Sequence, residues 1–237
     1  MSTDNKSQKS DICKSAQDIL GSQVYAENVD FWNRAWSPVK TAYTQMPDLP
    51  YLTLMMSELA SKAPANVLDL GCGSGWLSIL LARNGFDVTG VDVAEQAINL
   101  ANDWANQESH TINFQVKDMA LLEFSPGAFE ACVANSIFEH FPLELTRTIF
   151  KQLKTIMAVN GVFIGCFDKV GTGPGEYYKL ADETHVYTDK GRKGMLLRCY
   201  SDEELEEILT DSGFNITHKE TFESGTRYIV AIQKGAS

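Results

Sequence analysis

The stretch VLDLGCGSGWLSILL, residues 67 to 81, constrains the fold more than any other part of this chain. A short apolar run, NVLDL (66–70), stops at glycine. Glycines then recur at every second position, and an apolar helical run, WLSILLARN (76–84), begins at once and stops at Gly85. A strand that feeds a helix through so tight a turn is the start of a βαβ unit. The alternation continues. DVTGVDV (87–93) reads as a strand, and AEQAINLANDWANQ (94–107) as a helix with Ala97, Ile98, Ala101 and Trp104 on one face. INFQV (112–116) and FEACVAN (129–135) read as strands, ELTRTIFKQLKTIM (144–157) as a helix, and GVFIGCF (161–167) as a fifth strand. Strands separated by helices in this way imply an α/β fold with a doubly wound, mostly parallel sheet and helices on both faces.

The flanks follow different rules. Residues 1–15 predict a flexible polar tail, and residues 16–237 one domain. Phe31, Trp32, Ala35 and Trp36 fall at helical spacing before Pro38, so residues 16–45 predict an N-terminal helical cap. In DLPYLTLMMSELASK, Asp48 is the expected helix cap and Leu52, Met55, Met56 and Leu59 the buried stripe. Residues 168–200 form an insertion after strand five. There THVYTD and MLLRCY flank KGRKG and predict a hairpin. Ser201 and Glu204 make a capping-box pattern, with Gly213 as the helix stop. FNITHKETF and TRYIVAIQK, joined by ESG, close the chain as a β-hairpin.

Charge and cysteine usage narrow the partners. The net charge is −11, from 31 acidic and 20 basic residues, and it repels a phosphate backbone. A nucleic-acid partner is therefore not expected. Five cysteines with no C-x-x-C spacing and no Cys/His cluster read as free thiols, with no metal site. The polar N-terminus lacks a signal-peptide pattern, and no apolar run approaches a membrane span. The expectation is a cytoplasmic protein off the membrane, with an oligomeric state that the sequence does not give.

The glycine turn carries the chemistry. Backbone N–H groups at such a turn are expected to face outward, and glycine lets a ligand approach the main chain. Dinucleotide enzymes use G-x-G-x-x-G, but here Trp76 stands at the third position and Gly75 comes one residue early. Asp69 lies two residues before Gly71, where a pyrophosphate would be repelled. S-adenosylmethionine carries an ammonium and a sulfonium and no phosphate, so it suits this acid better. Asp92 ends the second strand about 20 residues past the turn, the spacing at which a carboxylate reaches ribose hydroxyls. Asp118 follows the third strand and could accept from an adenine amine, with Met119 against the ring.

VLDLGCGSG, VTGVDVA, FQVKDMA, FEACVANSIFEHF and NGVFIGCF, in this order, resemble class I S-adenosylmethionine-dependent methyltransferases over about residues 51–168. The resemblance implies a seven-stranded sheet ordered 3-2-1-4-5-7-6 with strand 7 antiparallel. It also implies S-adenosylmethionine as cofactor, with S-adenosylhomocysteine as product, and methyl transfer to an O, N or S atom of a small-molecule acceptor. Asp69, Gly71 and Gly73 would then face the methionine part, Asp92 the ribose and Asp118 the adenine amine; Cys72, Val93 and Met119 are further cofactor-binding candidates, with Cys72 readable also as a small core residue. Asn135 and Ser136 would lie near the sulfonium. The family's usual PGG turn before strand five reads AVNGV here.

Outside these motifs each residue has two readings. His140, His185 and Tyr187 are candidate general bases, needed where the acceptor arrives protonated; His140 could equally hold a neighbouring loop. Trp32, Trp36 and Tyr178 are candidates for the acceptor pocket, or else helix packing and an exposed hairpin. Tyr177 shares that hairpin. Two other functions stay open at this point: a non-catalytic cofactor-binding sensor or partner subunit, and a dinucleotide-dependent oxidoreductase.

Overall fold

The computed structural model describes residues 15–169 and 174–235. Apart from Ser15, the expected polar tail lies outside the described residues. Two helices come first, α1 (Ala16–Leu20) and α2 (Gln23–Trp36), each N-capped by a serine hydroxyl, from Ser15 and Ser22. Helix α3 (Leu52–Lys62) buries Met55 and Leu59. Asp48 does not cap it. Tyr51 takes the N-cap position without a side-chain capping bond, and its buried ring packs against Phe222 and Tyr228.

The alternating core follows: β1 (Asn66–Leu70), α4 (Trp76–Arg83), β2 (Asp87–Asp92), α5 (Glu95–Gln107), β3 (Asn113–Val116), β4 (Phe129–Asn135), α6 (Leu143–Ile156) and β5 (Met157–Phe167). Short 3₁₀ turns at Met119–Leu121 and Phe138–His140 follow β3 and β4. Past β5 come β6 (Tyr177–Lys179), β7 (His185–Tyr187), β8 (Leu196–Leu197), α7 (Asp202–Asp211), β9 (Phe214–Thr221) and β10 (Arg227–Gln233).

The main sheet has the order β3-β2-β1-β4-β5-β10-β9. β10 is antiparallel to both its neighbours, and the other pairs are parallel. With β9 and β10 as the sixth and seventh strands, this is the expected doubly wound sheet. Alternate residues of one strand serve opposite faces. Val67, Val133 and Ile164 meet Met55 and Leu59 of α3 and Leu77 and Leu81 of α4. Leu68, Cys132 and Phe163 meet Ile149 and Leu153 of α6 and Leu205 and Leu209 of α7.

β7 and β8 form the hairpin predicted around KGRKG, and β6 adds a third antiparallel strand. β5 starts earlier than expected, at Met157. The chain stays extended through the AVNGV segment, with Asn160 at φ 65° and a register shift against β4. The capping box at α7 is formed in both directions by Ser201 and Glu204. No described helix is long and apolar enough to cross a membrane.

Candidate active site

The carboxyl ends of β1, β2, β3 and β4 open on one cavity of about 160 Å³. Parallel strands of an open sheet place their ligands there. Gly71, Gly73, Asp92, Val93, Asp118 and Met119 form one side of its lining, and Ser136 and His140 continue it past β4. Helix α2 closes the other side with Tyr25, Asn28, Val29, Trp32 and Trp36, residues spaced to share one helical face.

The glycine turn is fixed from within. The Cys72 N–H donates to Val91 O (3.0 Å), the Gly73 N–H to Asp92 Oδ2 (3.0 Å), and the Gly75 N–H to Cys72 O (2.9 Å). These three donors therefore do not face outward, contrary to the sequence expectation. Gly71 and Gly73 lie at φ 66° and 53°, and a Cβ on Gly73 would sit 3.1 Å from the Trp36 ring. The turn is glycine because the backbone is left-handed and because an indole lies against it.

Asp69 is buried beneath this turn and is not part of the cavity lining. It accepts a 2.6 Å hydrogen bond from the Ser78 hydroxyl on α4. Burial pushes its pKa up to about 7; the Ser78 bond opposes that shift and the nearby Asp92 adds to it. The sequence reading had Asp69 facing the ligand directly, and the structure instead places it behind the turn. Cys72 is buried beside it and likewise absent from the main cavity.

Asp92 is held at the cavity wall by two backbone donors, Gly73 N–H and Ala94 N–H (2.9 Å). Burial raises its pKa, and these bonds to the ionised form oppose the rise. At Asp118, Oδ1 accepts from Ala120 N–H at 2.8 Å, and the Tyr25 hydroxyl sits 2.8 and 2.9 Å from the two oxygens. Asn135 accepts from the Tyr51 hydroxyl at 2.7 Å. It lines a second cavity of about 560 Å³, which shares Ser136 with the first.

His140 is placed by its neighbours. Phe138 stacks on Phe150 and Phe167, at 4.8 and 5.5 Å between ring centroids, and so clamps the 3₁₀ turn to the sheet. The His140 Nδ1–H donates to Leu196 O at 3.1 Å, which leaves the lone pair on Nε2. Trp32 meets the ring edge-on at 4.6 Å. Burial lowers the His140 pKa, so the imidazole is neutral at physiological pH.

His185, Tyr187 and Tyr178 do not line this cavity. His185 stacks on Tyr177 in the small sheet, Tyr187 is buried with Arg192 over its ring, and Tyr178 packs with Val24, Leu180 and Val186. Their place in the hairpin is set by that sheet's own small core. Trp76, the first residue of α4, is half-buried and packs against two clusters of the core.

Tyr25 and Asn28 were not singled out from the sequence. Asn28 is 4% exposed, and its Nδ2 has no hydrogen-bond partner among the described residues. A buried donor left unpaired costs about 1–3 kcal/mol. The signal available in the sequence was a tyrosine and an asparagine one turn apart on the apolar side of a helix.

The model of one family, described as a methyltransferase domain, matches residues 67–161. Over those residues the chain is similar to that family. The span runs from β1 into β5 and so includes the glycine turn, Asp92, Asp118 and His140. Curated proteins are similar to part of the chain. A ubiquinone biosynthesis O-methyltransferase of Coxiella burnetii is 34% identical over 113 residues, 48% of this chain and 47% of that protein. One from Xanthomonas campestris is 35% identical over 93 residues, 38% of this chain and 39% of that protein. The chain thus matches less than half the length of these relatives. Two solved structures share the fold. One, an S-adenosylmethionine-dependent methyltransferase of Clostridium acetobutylicum, has a TM-score of 0.65 at 15% identity, covering 79% of this chain and 94% of that one. The other, magnesium protoporphyrin IX methyltransferase of Synechocystis with bound S-adenosylhomocysteine, has a TM-score of 0.61 at 20% identity, covering 86% and 94%.

Proposed function

We propose that this chain is an S-adenosylmethionine-dependent methyltransferase that methylates an oxygen atom of a small-molecule acceptor. The observation that carries this reading is the cavity itself: it joins the glycine turn, Asp92 and Asp118 at three successive strand ends, inside a matched methyltransferase domain. The oxygen is favoured because the curated relatives are O-methyltransferases.

The residues fit this cofactor better than a dinucleotide. A pyrophosphate needs free backbone N–H groups at the turn. Here the Cys72, Gly73 and Gly75 donors are already bonded within the protein. Asp92 adds negative charge beside the same turn. A ligand with a cationic amino-acid part and a ribose finds carboxylate where it needs it. Asp92 would take the ribose hydroxyls and Asp118 the adenine amine, with Met119 against the ring. Gly71 and Gly73 would border the methionine part, with Asp69 acting through the turn, braced by its bond from Ser78. When bound, S-adenosylmethionine supplies a methyl group that an in-line nucleophile can take.

The protein's own contribution is alignment. Trp32, Trp36 and Val29 exclude water on one side, and Ser136 and Ile137 bound the other. Holding nucleophile and methyl in line can contribute on the order of 7–11 kcal/mol. A hydroxyl acceptor must also lose its proton. His140 is neutral, lines the cavity and has its tautomer fixed by Leu196, so Nε2 is the base. Residues 16–45 serve as a cap over cofactor and acceptor, and Lys193, whose carbonyl accepts from Arg34, supports that cap from the side.

Isothermal titration with S-adenosylhomocysteine, followed by methyl-transfer assays over a panel of phenols, amines and thiols, tests the proposal. The expected result is binding, with turnover confined to hydroxyl acceptors. Absence of binding would overturn the cofactor reading. Binding with no turnover on any acceptor class would favour a sensor or partner subunit.

A further inference from the structure

We infer that a third cavity, beside the glycine turn, takes the carboxylate of the bound cofactor's amino-acid end, with the Ser74 hydroxyl as its donor. The inference rests on the cofactor reading above and adds a recognition residue to it.

This cavity has about 340 Å³. Tyr43, Gln45 and Pro47 line it from the segment after α2, Ser74 and Trp76 from the entry to α4, and residues 71–73 from the turn. It meets the first cavity across Gly71, Gly73 and Trp36, which line both. Tyr43 continues the wall that Trp36 begins, with 6.4 Å between the ring centroids. Asp92 accepts from Gly73 N–H, so a ribose held by Asp92 lies next to this junction. The amino-acid end of the cofactor, carried by the sulfur on that ribose, starts from there.

The three cavities differ in the charge of their walls. Asp92 and Asp118 line the first, and Asp48, Asp168 and Glu223 the second. The third has no carboxylate in its lining among the described residues, in a chain of net charge −11. Asp69 lies beneath the turn and lines none of them. The polar side chains of the third cavity are the Ser74 and Tyr43 hydroxyls, the Gln45 amide, the Trp36 and Trp76 indole N–H groups and the Cys72 thiol. All of them can donate. The cofactor's amino-acid end carries an ammonium and a carboxylate on one carbon. Beside Asp92 the ammonium is attracted and the carboxylate repelled, so the carboxylate turns toward the wall that holds only donors. Lys117, the lysine in the first lining, is engaged at the adenine end, 5.2 Å over the Phe124 ring. The Ser136 hydroxyl accepts from Asn135 and borders the acidic second cavity.

Ser74 stands out among these donors. It is 3% exposed, and its hydroxyl has no hydrogen-bond partner among the described residues. Yet that oxygen is not one of the fully enclosed unpaired atoms, so it reaches the cavity that its residue lines. Tyr43 and Gln45 are exposed and can bond water instead. A nearly buried hydroxyl kept unpaired at a cavity wall is explained if a ligand completes it.

The test is a chemical double-mutant cycle by isothermal titration. Wild type, Ser74→Ala, Gln45→Glu and Ser136→Ala are each titrated with S-adenosylhomocysteine and with S-adenosyl-3-thiopropylamine, which keeps the ammonium and lacks the carboxylate. Thermal melts without ligand check that the variants fold; if Ser74→Ala does not, the exposed Gln45→Glu decides alone. Ser74→Ala should bind S-adenosylhomocysteine about tenfold more weakly and the decarboxylated ligand as wild type does. Gln45→Glu, which places a negative charge on the same wall, should show the same selective loss. Unchanged S-adenosylhomocysteine affinity in either variant would overturn the inference. So would an equal loss for both ligands, which marks a disturbed turn, or a selective loss in Ser136→Ala, which puts the carboxylate in the second cavity. In each of those outcomes wild type still binds S-adenosylhomocysteine, so the cofactor reading survives. Failure of wild type to bind would instead remove that reading and this inference with it.

Discussion

At the scale of single residues, Asp69 shows how burial changes the role of a charge. Its carboxyl titrates near pH 7 in the fold, against 3.8 as usual, because it is desolvated under the turn. Glu139, buried beside the 3₁₀ turn, is pushed up to about 8 by the same cause. Between the unfolded and folded values the native chain holds protons that the unfolded chain has lost. Stability from these two groups is therefore greatest at low pH and falls as pH rises, by about 1.4 kcal/mol per pH unit for each group. For Asp69 the loss runs from about pH 4 to 7, and for Glu139 from about pH 4.5 to 8. Asp69→Asn should remove its share of that slope, as read from urea unfolding at pH 5, 6, 7 and 8; an unchanged slope would count against a protonated Asp69. Asp92 is different, because two backbone donors hold its carboxylate toward the cavity. If Asp92 takes the ribose hydroxyls as proposed, Asp92→Ala forfeits two charge-assisted bonds, each about 1.5–3 kcal/mol. Titration calorimetry should show at least a ~100-fold loss of S-adenosylhomocysteine affinity. That these positions carry acids was legible in the sequence. Which acid faces the ligand was not, since the direction of a side chain at a strand end depends on how the turn folds back over it.

At the scale of elements, the strand–turn–helix unit works because Gly75 lets α4 and α5 approach. It has φ +88°, and an added Cβ would lie 2.9 Å from the Ala101 Cβ and 3.1 Å from the Phe114 ring. Gly75→Ala combines a left-handed backbone penalty with overpacking, so equilibrium unfolding should show a loss of roughly 2–4 kcal/mol. The capping box of α7 is a smaller effect. Ser201→Ala removes the acceptor for Glu204 N–H and should cost about 1 kcal/mol in the same assay. Most helices and strands could be read from periodicity and glycine stops, because local pattern and tertiary burial agree in them. Three features could not. Tyr51 took the helix cap from Asp48 because burying an aromatic ring among Phe222 and Tyr228 outweighs an exposed cap. β5 ran back to Met157 through a segment whose sequence looked like a turn. The third strand of the small sheet, β6, is three residues long and gives too short a pattern to detect.

At the scale of the whole molecule, the active-site proposal depends on α2 lying across the ends of the strands. Tyr25 joins it to Asp118, and Arg34 reaches Lys193 O in the segment before β8 at 2.7 Å. Cofactor bound beneath the helix should slow amide hydrogen exchange through residues 23–36, while amides in the β4, β5 and β10 core stay as protected as before. Exchange in α2 that is indifferent to S-adenosylhomocysteine would leave the cap without a part in binding. By itself the sequence determined the alternation of strands and helices, the glycine turn and the acids at successive strand ends, because each is a short-range pattern with one backbone solution. Only the tertiary structure decided that Asp69 lies under the turn, that His185 and Tyr187 belong to a separate small sheet, and that Tyr25 and Asn28 line the cavity. Those outcomes depend on contacts between segments far apart in the chain, and a local pattern carries no information about which distant surface a side chain will meet.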